Sequence, residues 1–428
     1  MTGTRTTAGP AAAPAAVSGE RIDAHLARFA GLTEPGSGPG CTRLAYSPLE
    51  RDAHAVFAAH MGALGLTVAT DPAGNTVAEL PGEPGVPAVG TGSHLDTVPR
   101  GGGYDGIVGV VAAMEVAEVA VRLRLPHRRP WRFVAFAAEE GARFGQACNG
   151  SRMAAGLTGA ADLPGLTDRE GRTMADAMAA VGLRPDLVDG ARWRPEDWFA
   201  FVELHIEQGE VLASEGLDVG VVDVISGSTR LLVEVTGRAT HSGGTPMHLR
   251  HDALVTAAHC VELGDRFARR PGNEGLRVTV GRLGVEPNSI TTVPGAVEFS
   301  VDIRDVDPVR QRAAAKALAH DFAAAAGEHG TALTTRVLAD TPPVVLPEWV
   351  AGHAEAACAA VGAAYRVLPS GASHDTQQVN HVVPAGMIFV PSDGGLSHVP
   401  EESTPTPQIA TGVRALLETL RGLDRAER

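Results

Sequence analysis

Four short apolar runs punctuate this chain, and each ends against a histidine or a carboxylate. Residues 86–92 (V-P-A-V-G-T-G) are small and mostly apolar, and Ser93 and His94 follow. Residues 131–137 (W-R-F-V-A-F-A) and 198–204 (W-F-A-F-V-E-L) have the aromatic and apolar content of strands, with Glu139–Glu140 and His205 just beyond. Residues 386–390 (G-M-I-F-V) read as a fourth strand, and a glycine-rich loop then delivers His398. Runs that are apolar at nearly every position predict strands covered on both faces, as in a parallel sheet with helices between its strands. The loaded residues fall past the C-terminal strand ends, which is the edge where open α/β sheets bind ligands. Asp105 differs: it sits in G-G-G-Y-D-G, directly before the long apolar stretch from Ile107 to Leu123, which predicts a buried helix.

Between about 224 and 341 the texture changes. R-L-L-V-E-V-T-G (230–237), R-V-T-V-G-R-L (277–283) and V-E-F-S-V-D-I-R (297–304) alternate like half-exposed strands, while 251–267 and 308–326 carry a helical period. A strand–helix–strand–strand–helix–strand order predicts a small α+β domain with a four-stranded antiparallel sheet and two helices. It is inserted, because His398 lies beyond it. The predicted fold is therefore α/β: a mostly parallel-sheet domain from 19–223 and 342–428, interrupted by an α+β domain at 224–341. Residues 1–18, rich in Ala, Pro and Thr, are expected to form a disordered tail.

Bulk properties narrow the function. At 428 residues, two domains are the natural expectation. A formal charge of −14 argues against nucleic-acid and anionic-membrane partners, which require a positive surface. Cys41, Cys148, Cys260 and Cys358 are far apart and form no C-x-x-C, so a cytoplasmic location fits better than a disulfide framework. The N-terminal stretch lacks the continuous apolar segment of a signal peptide, and no run approaches the roughly 20 apolar residues that span a bilayer.

Three imidazoles (His94, His205, His398) and two carboxylates (Asp105, Glu140) compose the ligand set of a two-metal site. Glu139 adds a further carboxylate suited to activating water. Asp105 can bridge two cations with one carboxylate. Asp96 lies two residues from His94, so an extended backbone puts both side chains on one side, where the acid can accept from the imidazole. The same alternation relates His205 to Glu207 in H-I-E-Q-G. Taken singly, each of these residues has an ordinary reading as a turn, strand-end or loop residue. Their combination carries the expectation of a metal-dependent hydrolase.

The ordered motifs G-S-H-L-D-T-V, G-G-G-Y-D-G, F-A-A-E-E-G, E-L-H-I-E-Q-G and G-G-L-S-H-V-P-E-E resemble those of the amidase/hydantoinase/carbamoylase family of dinuclear-metal amidohydrolases. That family includes N-carbamoyl-L-amino-acid hydrolases, allantoate amidohydrolases and β-ureidopropionases. The resemblance runs from about residue 20 to near the end. It implies two divalent ions (Mn, Co, Ni or Zn), one held by His94, Asp105 and His205 and the other by Asp105, Glu140 and His398. It implies Glu139 as general base, Asp96 as the support of His94, and Gln208 as a contact to the substrate amide. It implies that the inserted domain serves as lid and dimerisation element of a homodimer. His241 (G-R-A-T-H-S-G) would reach the partner subunit's site and steady the developing oxyanion. Asn288 (P-N-S-I-T) and Arg304 (V-D-I-R) would grip a substrate carboxylate, and Gly371, Ala372 and Ser373 would form a substrate-facing loop.

The chain departs from the family pattern at Glu210, where a proline is common, at Gly244, where a threonine is common, and at Ser373 and Thr376 in S-G-A-S-H-D-T. Asp393 adds a charge near His398. These changes touch the pocket and leave the metal set and base intact. The implied reaction is hydrolysis of a carbamoyl (ureido) group on a small acid, releasing ammonia, carbon dioxide and the amine. The competing readings are an N-acyl-amino-acid deacylase or dipeptidase with the same metals, and a non-catalytic metal-containing binding protein. The last has no use for Glu139.

Overall fold

The computed structural model of the chain describes residues 12–427. Two compact units divide it: Met1–Asp223 with Leu346–Arg428, and Val224–Val345. In the first, a sheet runs in the order Thr67–Thr70, Thr76–Leu80, Trp131–Phe136, Ala88–His94, Trp198–Ile206, Ala385–Val390, Val219–Ile225, with Tyr365–Ser370 also pairing the last of these. All four strands anticipated from the apolar runs are present. They lie side by side and are mutually parallel. The flanking strands are antiparallel, so the sheet is mixed and not mostly parallel. One reason is local: Thr70 and Thr76 are separated by a short turn, and only antiparallel strands can be joined that way.

Ile107–Leu123 forms the predicted helix, and every residue from Ile107 to Ala120 is buried. It shares one core with helices Gly19–Ala30 and Thr406–Arg425 and with the inner strands. Its buried Glu115 explains why the expected tail is too long. Of that tail, residues 1–11 lie outside the described residues. Ala12–Ala15 form a helical turn, with Ala13 and Val17 buried. Ser18 N–H and Arg21 Nε both donate to the Glu115 carboxylate at 2.8 Å, and Ser18 caps the helix that follows. A buried charge needs such partners, and the segment up to Ser18 is ordered by supplying them.

The second unit has the anticipated element order. Its antiparallel sheet runs Ala332–Thr341, Gly227–Thr236, Ala296–Asp305, Arg277–Glu286. Helices Ala253–Ala268 and Pro308–Glu328, capped by Asp252 and Asp307, share its core. The unit extends past the expected end at 341, because Val344 and Val345 pair back onto Ile225 and Val224. A two-residue ribbon, Thr240–His241 against Thr292–Val293, was not anticipated, since two residues are too few to display alternation. Among the described residues no helix is long and apolar enough to cross a membrane.

The Ile107–Leu123 helix approaches the sheet closely at Gly109, where a Cβ would run into the Leu204 carbonyl oxygen and the Ser93 side chain. In an exposed helix, glycine to alanine stabilises by about 1 kcal/mol. Here the clash is with backbone and reverses the sign. Gly109→Ala is expected to destabilise the protein by roughly 1–3 kcal/mol, read as a lowered urea midpoint at unchanged slope.

Candidate metal centre

Five segments bring the candidate ligands together, all within the first unit. His94 ends the strand Ala88–His94, and His205 is the penultimate residue of Trp198–Ile206. Asp105 immediately precedes the start of the buried helix. Gly106 has φ +55°, and a Cβ there would collide with the His94 ring, so only glycine lets the loop pass. Ala138, at φ +55°, turns the chain out of Trp131–Phe136 and presents Glu139 and Glu140. His398, at φ +62°, follows the glycine-rich turn after Ala385–Val390.

Asp105 is the centre of the constellation. Its Oδ1 lies 3.6 Å from His94 Nε2 and 3.5 Å from His205 Nε2. Its Oδ2 lies 3.2 Å from His398 Nε2, which is 3.4 Å from Glu140 Oε1. Two three-residue clusters result, His94–Asp105–His205 and Asp105–Glu140–His398, each with donor atoms within 4.8 Å of one another. Backbone contacts fix the ring orientations. His94 Nδ1 lies 3.1 Å from the Asp96 carbonyl oxygen and His205 Nδ1 lies 2.9 Å from that of Ile206. Each Nδ1–H therefore donates to main chain and each Nε2 turns toward Asp105, the arrangement of a metal-binding imidazole.

Asp96 stands beside His94, its Oδ1 3.6 Å from His94 Nδ1, and holds more besides. Its carboxylate accepts from Glu139 N–H at 2.8 Å and Glu140 N–H at 2.9 Å, and its carbonyl oxygen takes the His94 contact. Glu207, by contrast, accepts from Val211 and Leu212 N–H at the start of the next helix. Gln208 belongs to the cluster: its Nε2 donates to Asp105 Oδ2 at 2.6 Å, as does Ser397 Oγ at 2.6 Å. Gln208 Oε1 is buried with no partner among the described residues.

Electrostatics follow from burying three carboxylates together. Burial pushes Glu139 well above the ordinary carboxylate range, with His94 opposing and Glu140 adding to the rise. Burial also raises Glu140. Asp105 goes the other way: burial disfavours its charge, but the His398 hydrogen bond and the nearby His205 and His94 hold it well below the usual range. Hydrogen bonds to Asp105 and Glu140 push His398 up to about 11, against burial. The cluster thus recruits positive charge from its histidines. A divalent cation suits it as counter-charge.

Residues 371–373 connect the strand Tyr365–Ser370 to the short helix Asp375–Val379 and are half-buried. His241, Asn288 and Arg304 lie in the second unit. His241 is exposed on the short ribbon, and its Nδ1 accepts from the Gly243 and Gly244 N–H groups at 3.1 Å each. Asn288 is exposed at φ +51°. Arg304 Nε donates to Asp302 Oδ2 at 2.8 Å, so Arg304 already has a carboxylate partner.

Several participants were not singled out from the sequence. His374 is buried with its ring 4.6 Å from that of His205, and Glu203, His205 and His374 form a third donor cluster. Glu203 is saturated by Ser93 Oγ and by the backbone and hydroxyl of Thr376. Cys148 Sγ donates to Glu139 Oε1 at 3.0 Å. Glu402 accepts from Tyr104 N–H at 2.8 Å and is pushed up to about 7 by burial and by Asp105. The H-D pair in S-G-A-S-H-D was the available signal for His374; the others carry none.

Residues 90–422 match the model of Peptidase family M20/M25/M40. The chain is 38% identical over 407 residues to an N-carbamoyl-L-amino-acid amidohydrolase of Paenarthrobacter aurescens, covering 95% of this chain and 98% of that one. It is 36% identical over 381 residues to an allantoate amidohydrolase of Escherichia coli, covering 88% and 91%. A crystal structure of an amidase of the hydantoinase/carbamoylase family from Burkholderia multivorans superposes with a TM-score of 0.85 at 30% identity, covering 96% of this chain and 99% of that one. With a matched segment that spans all five candidate ligands, the chain belongs to Peptidase family M20/M25/M40.

Proposed function

We propose that this chain hydrolyses the carbamoyl (ureido) C–N bond of an N-carbamoyl amino acid or a related ureido acid. The observation that carries the reading is Asp105: one carboxylate oxygen serves each of two donor clusters, and Glu139 stands beside them without being needed as a ligand. The relatives named above, amidohydrolases of carbamoyl and ureido compounds, support the substrate class.

His94, Asp105 and His205 would hold one divalent ion, and Asp105, Glu140 and His398 the other. When bound, the two ions supply Lewis acidity and lower the pKa of water. Glu139 acts as the base: it takes the proton from the attacking water and returns it to the departing amine nitrogen. Burial serves this role, since a carboxylate raised above its ordinary range holds a proton more readily. Asp96 fixes the backbone on which Glu139 and Glu140 stand. Gln208 Oε1 is an unused acceptor for a substrate N–H. His241, with Nδ1 occupied by two N–H groups, carries its proton on Nε2 when neutral and so presents a donor for the developing oxyanion. Asn288 and Arg304 would bind the substrate carboxylate, with Arg304 exchanging Asp302 for the ligand, and residues 371–373 would line the pocket. The second unit would act as lid and dimerisation element in a homodimer. The four cysteines are free and buried, which fits a reducing cytoplasm.

The substrate test is direct. Metal-loaded enzyme offered N-carbamoyl amino acids, allantoate, β-ureidopropionate and N-acyl amino acids is expected to release ammonia with the amine from ureido substrates. Release of carboxylic acids from N-acyl substrates, without ammonia from the ureido set, would assign a deacylase instead.

Base and ligand roles separate by mutation. Glu139→Gln is expected to retain metal by elemental analysis and to lose roughly 10²–10⁴ in kcat, the usual worth of a positioned base. Glu140→Gln is expected to lose metal. The opposite pattern would exchange the two assignments.

Metal uptake is also expected to release protons. Without metal, His398 stays protonated up to about 11, and an imidazole must be neutral to ligate. Affinity should therefore rise with pH through the neutral range. Calorimetric titration in buffers of different ionisation enthalpy counts the released protons, and His398→Ala is expected to lower the count by about one. An unchanged count would mean that His398 is neutral before metal binds.

A further inference from the structure

The turn that presents the base depends on a residue far from it in sequence. Ala138 has φ +55°, a conformation that costs a non-glycine residue free energy unless its surroundings impose it. Its N–H donates to Glu50 Oε1 at 2.7 Å. Glu50 is completely buried on the first turn of helix Pro48–Ala63, three residues after the N-cap Ser47, whose hydroxyl accepts from Glu50 N–H at 3.2 Å. A glutamate at this position ordinarily folds back onto the N-cap amide. Here the side chain leaves that pattern. Its Oε2 accepts instead from Tyr46 N–H at 2.6 Å, and Tyr46 is itself left-handed at φ +50°. One buried carboxylate thus holds two non-glycine residues in left-handed conformations. Arg143, three residues past Glu140, closes the brace from the other side: its Nη1 donates to the Ala45 and Tyr46 carbonyl oxygens at 2.6 and 3.1 Å. Burial pushes Glu50 up to about 7, with Arg51 opposing, so an ionised acceptor at this place carries an electrostatic cost.

We infer that Glu50 is a positioning residue for the hydrolytic base: by holding the Ala138 amide it imposes the turn that aims Glu139, while Asp96 holds the next two amides. The inference rests on the reading of Glu139 as base. Two hydrogen bonds from Asp96 fix where the Glu139–Glu140 backbone lies, and the Glu50 bond fixes the direction in which the chain enters it.

The test is a double-mutant cycle. Glu50→Gln replaces one carboxylate oxygen by an NH₂ group, which cannot accept from an amide N–H. It is expected to lower kcat by roughly 10–100-fold, the scale of a misplacement of about 1 Å, with KM and metal content near wild type. Glycine adopts φ +55° without help. In an Ala138→Gly background, Glu50→Gln is therefore expected to cost less than about threefold relative to Ala138→Gly alone. An equal loss in both backgrounds would overturn the inference, because Glu50 would then support the fold and not this turn. Loss of metal from Glu50→Gln would also overturn it, by placing the effect on Glu140. Should Glu50→Gln fail to fold, Ala138→Val gives an independent reading: a β-branched residue resists the left-handed region, so kcat should fall with metal retained. Wild-type kcat in Ala138→Val would overturn the inference. If Glu139→Gln proves fully active, the base assignment has failed; if it is inactive while Glu50→Gln is unimpaired, only the present inference has.

Discussion

Three carboxylates buried side by side constrain everything around them. Asp105, Glu139 and Glu140 are each less than a tenth exposed, and they stand within one small constellation. Like charges in a low-dielectric setting cannot all ionise unless positive charge is brought to them. The fold brings three histidines, aims two of them by backbone carbonyls, and divides the oxygens of Asp105 between two donor clusters. That division lets one carboxylate take part in both clusters.

A second constraint concerns the backbone. Glu139 and Glu140 do not sit on a strand or a helix; they sit just beyond a left-handed turn at Ala138. The consecutive amides of residues 138, 139 and 140 are all held by buried carboxylates, the first by Glu50 and the next two by Asp96. A functional pair on irregular backbone needs such support, because no ladder of secondary structure supplies it. Cys148 adds a contact to one oxygen of Glu139, which leaves the other free to face the cluster. The division of labour is legible: Asp105 and the histidines set the charges, and Glu50, Asp96 and Cys148 set the geometry.

The second unit carries the proposed oxyanion donor. His241 is exposed, but two glycine amides occupy its Nδ1 and so fix which nitrogen carries the proton. Gly244, one of the departures from the family pattern, takes part through its main chain, which any residue could supply. Thr376, another departure, donates to the buried Glu203 and completes its hydrogen bonding.

The sequence alone located the four inner strands, the buried helix, the change of texture from about 224 and five residues that the fold gathers into donor clusters. Each was written in a local pattern: an apolar run, a change of period, or a metal-binding residue type after a strand or a glycine. Those signals are local because side-chain alternation and glycine turns are set by neighbours in the chain. What the sequence could not determine was which atom each acid uses. Asp96 lies two residues from His94 and its carboxylate stands 3.6 Å from that ring, but it also accepts from amides 43 and 44 positions away. Glu50 was not singled out, and its carboxylate reaches an amide 88 positions away. The four inner strands were legible, but the flanking strands were not, and these pair antiparallel, so the sheet is mixed. Tertiary structure decided these points because a buried carboxylate must find donors wherever the fold leaves amides unpaired, and that place is fixed by the packing of distant segments.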